Sequence, residues 1–179
     1  MTTITIPNIL TVIRILLTPV FIIVTMKSLI SFALLIFLIA ALTDALDGFI
    51  ARYFDQRSNL GAHLDPIADK MLLTSSFISL SVLMMIPNWL TVIVISRDII
   101  ILFGMAVCSV TQIKVTIKPS LISKMTTFFQ LITILLILFQ LNLEHIETTC
   151  FWLTAFLTII SGLHYVYKGL MLLHGRTLS

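Results

Sequence analysis

Apolar residues fill this chain in six long runs, and polar residues interrupt them at only a few places. The runs extend from Asn8 to Met26, Ser28 to Phe49, Gly61 to Met85, Trp89 to Val110, Pro119 to Leu141 and Thr149 to Leu173. Each is near or above the roughly 20 residues a helix needs to cross a bilayer core. In lipid a backbone must satisfy its own hydrogen bonds, and a helix does so. The pattern predicts an all-α, polytopic integral membrane protein with six transmembrane helices. Pro87-Asn88 breaks the chain between the third and fourth, and residues 1–7 read as a short interfacial segment. No long linker, low-complexity stretch or repeat interrupts the pattern, so residues 1–179 read as one membrane domain.

Composition points the same way. The chain is 59% hydrophobic and 11% charged, with a mean hydropathy of +1.12, whereas a soluble domain is about 25% charged. A net charge of +3 is modest, and no aromatic platforms line a basic groove, so a nucleic-acid partner is not expected. Cys108 and Cys150 sit in apolar runs and read as free thiols, and neither Cys nor His shows structural-zinc spacing. The N-terminus lacks the basic n-region and cleavage site of a signal peptide, so the first run reads as a span.

The basic residues are unevenly placed. Arg52 and Arg57 lie between the second and third runs, Lys114 and Lys118 between the fourth and fifth, and Lys168 and Arg176 near the C-terminus. The opposite side carries Lys27, with Glu144 and Glu147 expected in the last loop. The positive-inside rule then places both termini on the cytoplasmic side, together with the acidic cluster described next.

Asp44, Asp47, Asp65 and Asp69, half of the eight acidic residues, lie in one short stretch. Carboxylates next to hydrocarbon are expensive and usually functional. Asp44 and Asp47 are three apart, and Asp65 and Asp69 four apart, so on helices each pair shares a face. Two such pairs brought together make an oxygen-rich cage for hard divalent cations. Held there, such ions neutralise a pyrophosphate, and a spare carboxylate takes a proton from an attacking hydroxyl. Gly48 and Gly61 allow a phosphate or sugar close to the backbone, and Arg52 can fork onto a phosphate. A non-catalytic cation-binding or transport protein is the competing reading. Transporters more often show helices broken near mid-membrane in corresponding halves, and none is evident here.

The full string is D-x2-D-G-x2-A-R-x8-G-x3-D-x3-D, which sets Asp44, Asp47, Gly48, Ala51, Arg52, Gly61, Asp65 and Asp69. It resembles the signature of the CDP-alcohol phosphatidyltransferases at every position. The resemblance implies a reaction of CDP-diacylglycerol, or a related CDP-alcohol, with an acceptor alcohol to release CMP. It implies Asp44, Asp47 and Asp65 as metal ligands, Asp69 as both ligand and general base, and Gly48, Ala51, Arg52 and Gly61 lining the CDP site. It further implies Mg²⁺ or Mn²⁺, as two ions, a homodimer, and a bacterial inner-membrane location with the active site at the cytoplasmic ends of spans two and three.

Two further polar groups interrupt the runs. Asn8, Thr11 and Arg14 fall at helical spacing on one face. Relatives with P-N-x-L-T-x-x-R here place it beside the nucleotide, so these three join the expected CDP site; the competing reading is that Arg14 snorkels to the interface. Arg97 lies near mid-span in S-R-D, with Asp98 expected to point elsewhere on the helix. Arg97, Lys118, Ser123 and Lys124 suit an anion site for an acceptor that itself carries phosphate; a structural ion pair is the alternative for Arg97. The strings Q-R-S-N-L-G, I-S-R-D and K-P-S-L-I-S-K are similar to the branch whose acceptor is phosphatidylglycerol. The branch that uses glycerol 3-phosphate is close to it but usually shows Arg-Glu at Arg97-Asp98.

Overall fold

In the computed structural model the described backbone covers residues 6–53, 59–110, 121–141 and 143–174, and side chains are described for residues 9–44, 68, 70–104, 121–141, 143–168 and 171. The helices are α1 (Ile6–Met26), α2 (Ile30–Tyr53), α3 (Asn59–Val82), α4 (Asn88–Val110), α5 (Leu121–Leu138) and α6 (Glu144–His174). Each predicted run has become one helix.

Three of these helices, over Ile9–Met26, Leu121–Leu138 and Glu144–Lys168, are long and apolar enough among the described residues to cross a membrane. Ile30–Asp44 and Lys70–Val82 are shorter apolar stretches.

The ends differ from expectation where capping chemistry acts. Glu144 and Glu147 are not loop residues; they occupy the first turn of α6, where carboxylates favour the positive end of the helix dipole. α3 stops at Val82 rather than Met85 because Met84 turns left-handed, with φ 58°. Ser28 and Gln140 do the same after α1 and α5, with φ 57° and 50°. After α1, the Ser28 and Leu29 amides donate back to the carbonyls of Thr25 and Val24. After α3, the Met84 and Met85 amides donate to Ser81 and Leu80. This is the Schellman arrangement, which usually recruits glycine. None stands at these corners, so the sequence lacks the usual stop signal.

By its contacts the chain forms two compact units, Met1–Ile86 with Ile137–Gln140, and Pro87–Leu136 with Leu141–Ser179. In the first, α1 packs against both α2 and α3. In the second, α4 packs against α6, and hydrogen bonds join α5 to α6.

The faces are inverted relative to a soluble protein. On α1 the buried stripe is Thr11, Arg14, Thr18, Phe21 and Thr25, while Ile9, Val12, Leu16, Val20 and Ile23 are exposed. On α5 the buried residues include Thr126, Gln130 and Thr133; on α6 they include Thr154, Thr158 and Ser161. Phe128, Trp152, Phe156 and Leu163 face outward. Apolar-out and polar-in is what a lipid solvent selects, since an apolar side chain gains nothing there by leaving the surface. Close packing and interhelical hydrogen bonds then hold the helices. The α5–α6 set includes Thr133 Oγ1 to Thr154 Oγ1 at 2.8 Å and Thr126 Oγ1 to the Leu157 carbonyl at 3.1 Å. Such bonds average only about 0.6 kcal/mol each, so the seam acts by number and by setting register.

Candidate functional site

The first unit carries the four aspartates of the signature. Asp44, Asp47, Gly48, Ala51 and Arg52 lie on the last turns of α2, and Gly61, Asp65 and Asp69 on the opening turns of α3. The side chains of Asp47, Arg52, Asp65 and Asp69, like that of Asn8 on α1, lie outside the described residues.

Asp44 is described, and its partner is Arg14. Arg14 Nη2 stands 3.0 Å from Asp44 Oδ1, with the arginine side chain 0% exposed and the aspartate 49%. The packing of α1 on α2 brings them together. Ile30, Ala33, Phe37 and Ala40 form the buried stripe of α2, and Asp44 is its next member at helical spacing. The alanines admit the neighbouring helix closely. Phe21 meets Phe37 with ring centroids 5.9 Å apart. From Phe21 back to Arg14 is two turns of α1, and from Phe37 on to Asp44 is two turns of α2. The helices run antiparallel, so one register makes both contacts. Arg14 therefore does not snorkel. Thr11, one turn nearer the start of α1, is buried on the same face.

The second unit holds another buried charge. Arg97 is 3% exposed and pairs with Asp98, Nη1 to Oδ1, at 2.7 Å. The expectation that Asp98 points elsewhere is corrected: their Cα–Cβ bonds diverge around the helix, but a four-bond arginine stem can curl back along the turn. Arg97 Nη2 donates to Ser123 Oγ at 2.6 Å and to Ser161 Oγ at 3.0 Å. Its guanidinium carbon lies 6.0 Å from the Tyr165 ring centroid, within range of a cation–π contact. One guanidinium thus ties α4 to α5 and α6. Of the residues expected around an acceptor, Ser123 joins Arg97, Lys124 is exposed on α5, and Lys118 lies outside the described residues.

Reading the sequence missed Ser161 and Tyr165. Their signal was the spacing Thr154, Thr158, Ser161, Tyr165, a polar line along an apolar helix. It also missed Thr18 and Thr25, which continue the line of Thr11 and Arg14.

The set fits a hard divalent cation by its chemistry. Its donors are carboxylates, and the one that is described already holds a positive group on Oδ1, its carboxylate half open to the surroundings. Among the described residues no group of three or more acidic, His or Cys side chains assembles.

Comparison with known proteins adds the family. The family model for CDP-alcohol phosphatidyltransferase matches residues 4–160. The chain is 35% identical to a human protein named cardiolipin synthase (CMP-forming), over 92% of this chain and 62% of the relative, so it spans about three fifths of that relative's length. It is 31% identical to the CDP-diacylglycerol–glycerol-3-phosphate 3-phosphatidyltransferase of Shigella flexneri, over 90% of this chain and 92% of the relative. The Bacillus subtilis protein of that same name is 30% identical, over 75% and 72%. With the matched stretch containing every position of the aspartate signature, this chain belongs to the CDP-alcohol phosphatidyltransferase family.

Proposed function

We propose that the protein transfers a phosphatidyl group from CDP-diacylglycerol to the free glycerol hydroxyl of phosphatidylglycerol, forming cardiolipin and CMP. The observation that carries the transfer is the complete eight-position signature on α2 and α3, and the strings Q-R-S-N-L-G, I-S-R-D and K-P-S-L-I-S-K favour phosphatidylglycerol as acceptor. Relatives named for cardiolipin synthesis and for transfer to glycerol 3-phosphate both match, so glycerol 3-phosphate is the second acceptor to try.

In this reading Asp44, Asp47, Asp65 and Asp69 would hold two Mg²⁺ or Mn²⁺ ions, which would offset charge on the pyrophosphate and on departing CMP. Asn8, Thr11, Arg14, Gly48, Ala51, Arg52 and Gly61 receive the CDP moiety. Asp69 accepts the proton of the acceptor hydroxyl as its oxygen bonds to the phosphorus bearing diacylglycerol. The bond from that phosphorus to CMP breaks, and CMP leaves with the electron pair. Arg97, Lys118, Ser123 and Lys124 orient the acceptor phosphate. All six helices span the bilayer, the site opens to the cytoplasm at the bacterial inner membrane, and the protein works as a homodimer.

The test is a reconstitution in vesicles with CDP-diacylglycerol, Mg²⁺ and each acceptor in turn. Cardiolipin and CMP are expected with phosphatidylglycerol, and neither with EDTA. Asp69→Asn should lower turnover by roughly 10²–10⁴-fold, the scale of a lost general base. Product with glycerol 3-phosphate alone would replace the acceptor and keep the family reaction.

A further inference from the structure

We infer that Arg14 couples the metal to the nucleotide. It occupies Asp44 as a resident counter-cation, and the donor's pyrophosphate draws it off; this rests on the reading above that Asp44 is a metal ligand.

Three observations meet here. First, the guanidinium of Arg14 is 0% exposed and sits 3.0 Å from Asp44 Oδ1. It has no route to water on its own helix face, which is packed with Thr11, Thr18 and Phe21. Any new partner must therefore come to it inside the first unit. Second, Asp44 is 49% exposed, so the pair is enclosed from the arginine side and open from the aspartate side. A ligand arriving from outside meets the carboxylate first. Third, α1 and α2 are locked by the Phe21–Phe37 contact two turns away and by alanines at 33 and 40. The helices hold the register, and adjustment falls to the long arginine side chain.

Electrostatics gives the consequence. A divalent ion on Asp44 would sit within a few ångströms of a buried guanidinium, and like charges at that range in a poorly hydrated site repel strongly. Metal alone should therefore bind weakly. A pyrophosphate changes this, because its oxygens offer the guanidinium a bidentate, charge-assisted partner. Arg14 then turns from competitor to clamp, and metal and nucleotide strengthen each other by the same factor in both directions. The arrangement discourages metal loading before the donor is present.

The test uses the purified full chain in detergent. Bound Mn²⁺ is read from the loss of the free-ion electron paramagnetic resonance signal, without and with CDP, after correcting for the CDP–Mn²⁺ complex in buffer. In the unchanged protein CDP should tighten Mn²⁺ binding by about tenfold or more, the ordinary size of such couplings. Arg14→Gln should bind Mn²⁺ alone about tenfold more tightly, as the competing charge is gone, and CDP should then tighten it by a clearly smaller factor than in the parent, because only the direct attraction of metal for pyrophosphate remains. Arg14→Lys keeps the charge and serves if the Gln protein does not fold. It should bind Mn²⁺ alone like the parent but lose the share of the coupling that the fork supplies, because an ammonium cannot fork. Mn²⁺ affinity that is unchanged or weakened in folded Arg14→Gln, or full coupling in Arg14→Lys, would overturn the inference and leave the metal site standing. No Mn²⁺ binding by the parent, with or without CDP, would overturn both.

Discussion

A guanidinium has five N–H groups, and inside a bundle each is either satisfied or costly. Arg97 shows how this works at one residue. Its two terminal nitrogens give hydrogen bonds to Asp98, Ser123 and Ser161. Removing it leaves a buried carboxylate with its near partner gone, and a buried pair broken from one side costs about 3–5 kcal/mol. Arg97→Ala should therefore lower thermal stability sharply, measured by unfolding in detergent, before any effect on acceptor binding can be read. Lys124→Ala is the cleaner acceptor test, because Lys124 is exposed and makes no such cross-link. It should raise the KM for the acceptor while leaving that for CDP-diacylglycerol and the unfolding temperature in place. An equal rise in both KM values would remove Lys124 from the acceptor site. Arg14 differs from Arg97 in one respect that bears on function: its aspartate is half exposed, whereas Asp98 is enclosed.

At the scale of the element, α1, α3 and α5 end without help from glycine. Met84 carries a φ of 58° and is 81% exposed, so its side chain contributes little packing while its backbone bears the left-handed cost. Met84→Gly should raise stability by roughly 0.5–1 kcal/mol, since glycine adopts this conformation without the Cβ penalty. Met84→Val should lower it, because a β-branched residue resists a positive φ. A shift in the unfolding midpoint in the opposite sense for either would show that the corner is not under strain. The same scale explains the site. α2 presents small or apolar residues at 30, 33, 37 and 40, then an aspartate at 44 on the same line. The stripe that packs α2 onto α1 is continuous with the line that carries the proposed metal ligand Asp44.

For the whole molecule, solvent decides the arrangement. Apolar faces point outward on α1, α5 and α6, and hydroxyls point in. At one end of the second unit Trp89 and Trp152 lie with ring centroids 5.0 Å apart, both partly exposed, as interfacial tryptophans are. Arg97 is eight residues further along α4, or about 12 Å by helical rise, which in the proposed six-span topology puts it well inside a hydrocarbon core of ~30 Å. A charge at that depth must face protein, and Arg97 does. The proposed topology sets residues 111–120 on the cytoplasmic side. A single cysteine introduced at Thr116, in a background with Cys108 and Cys150 replaced by serine, should be labelled by a membrane-impermeant maleimide only after the inner membrane is breached. Labelling of intact spheroplasts would reverse the orientation.

Hydropathy was enough to place six helices, because a run of some 20 apolar residues has few other uses in a chain this oily. The string of Asp44, Asp47, Gly48, Ala51, Arg52, Gly61, Asp65 and Asp69 pointed to the family by its resemblance to a known signature, because eight fixed positions over 26 residues leave chance little room. Spacing along one helix says nothing of the helix beside it. The pairing of Arg14 with Asp44 needed the antiparallel register of α1 and α2, which Phe21 and Phe37 share. The fate of Arg97 needed three helices to converge, and the curl of its stem onto Asp98 ran against the simple rule that neighbours on a helix diverge. The left-handed corners at Ser28, Met84 and Gln140 carried no glycine to announce them. Local composition determined what each segment is, since solvent acts on every residue separately. Which charge meets which was decided by packing between segments distant in sequence.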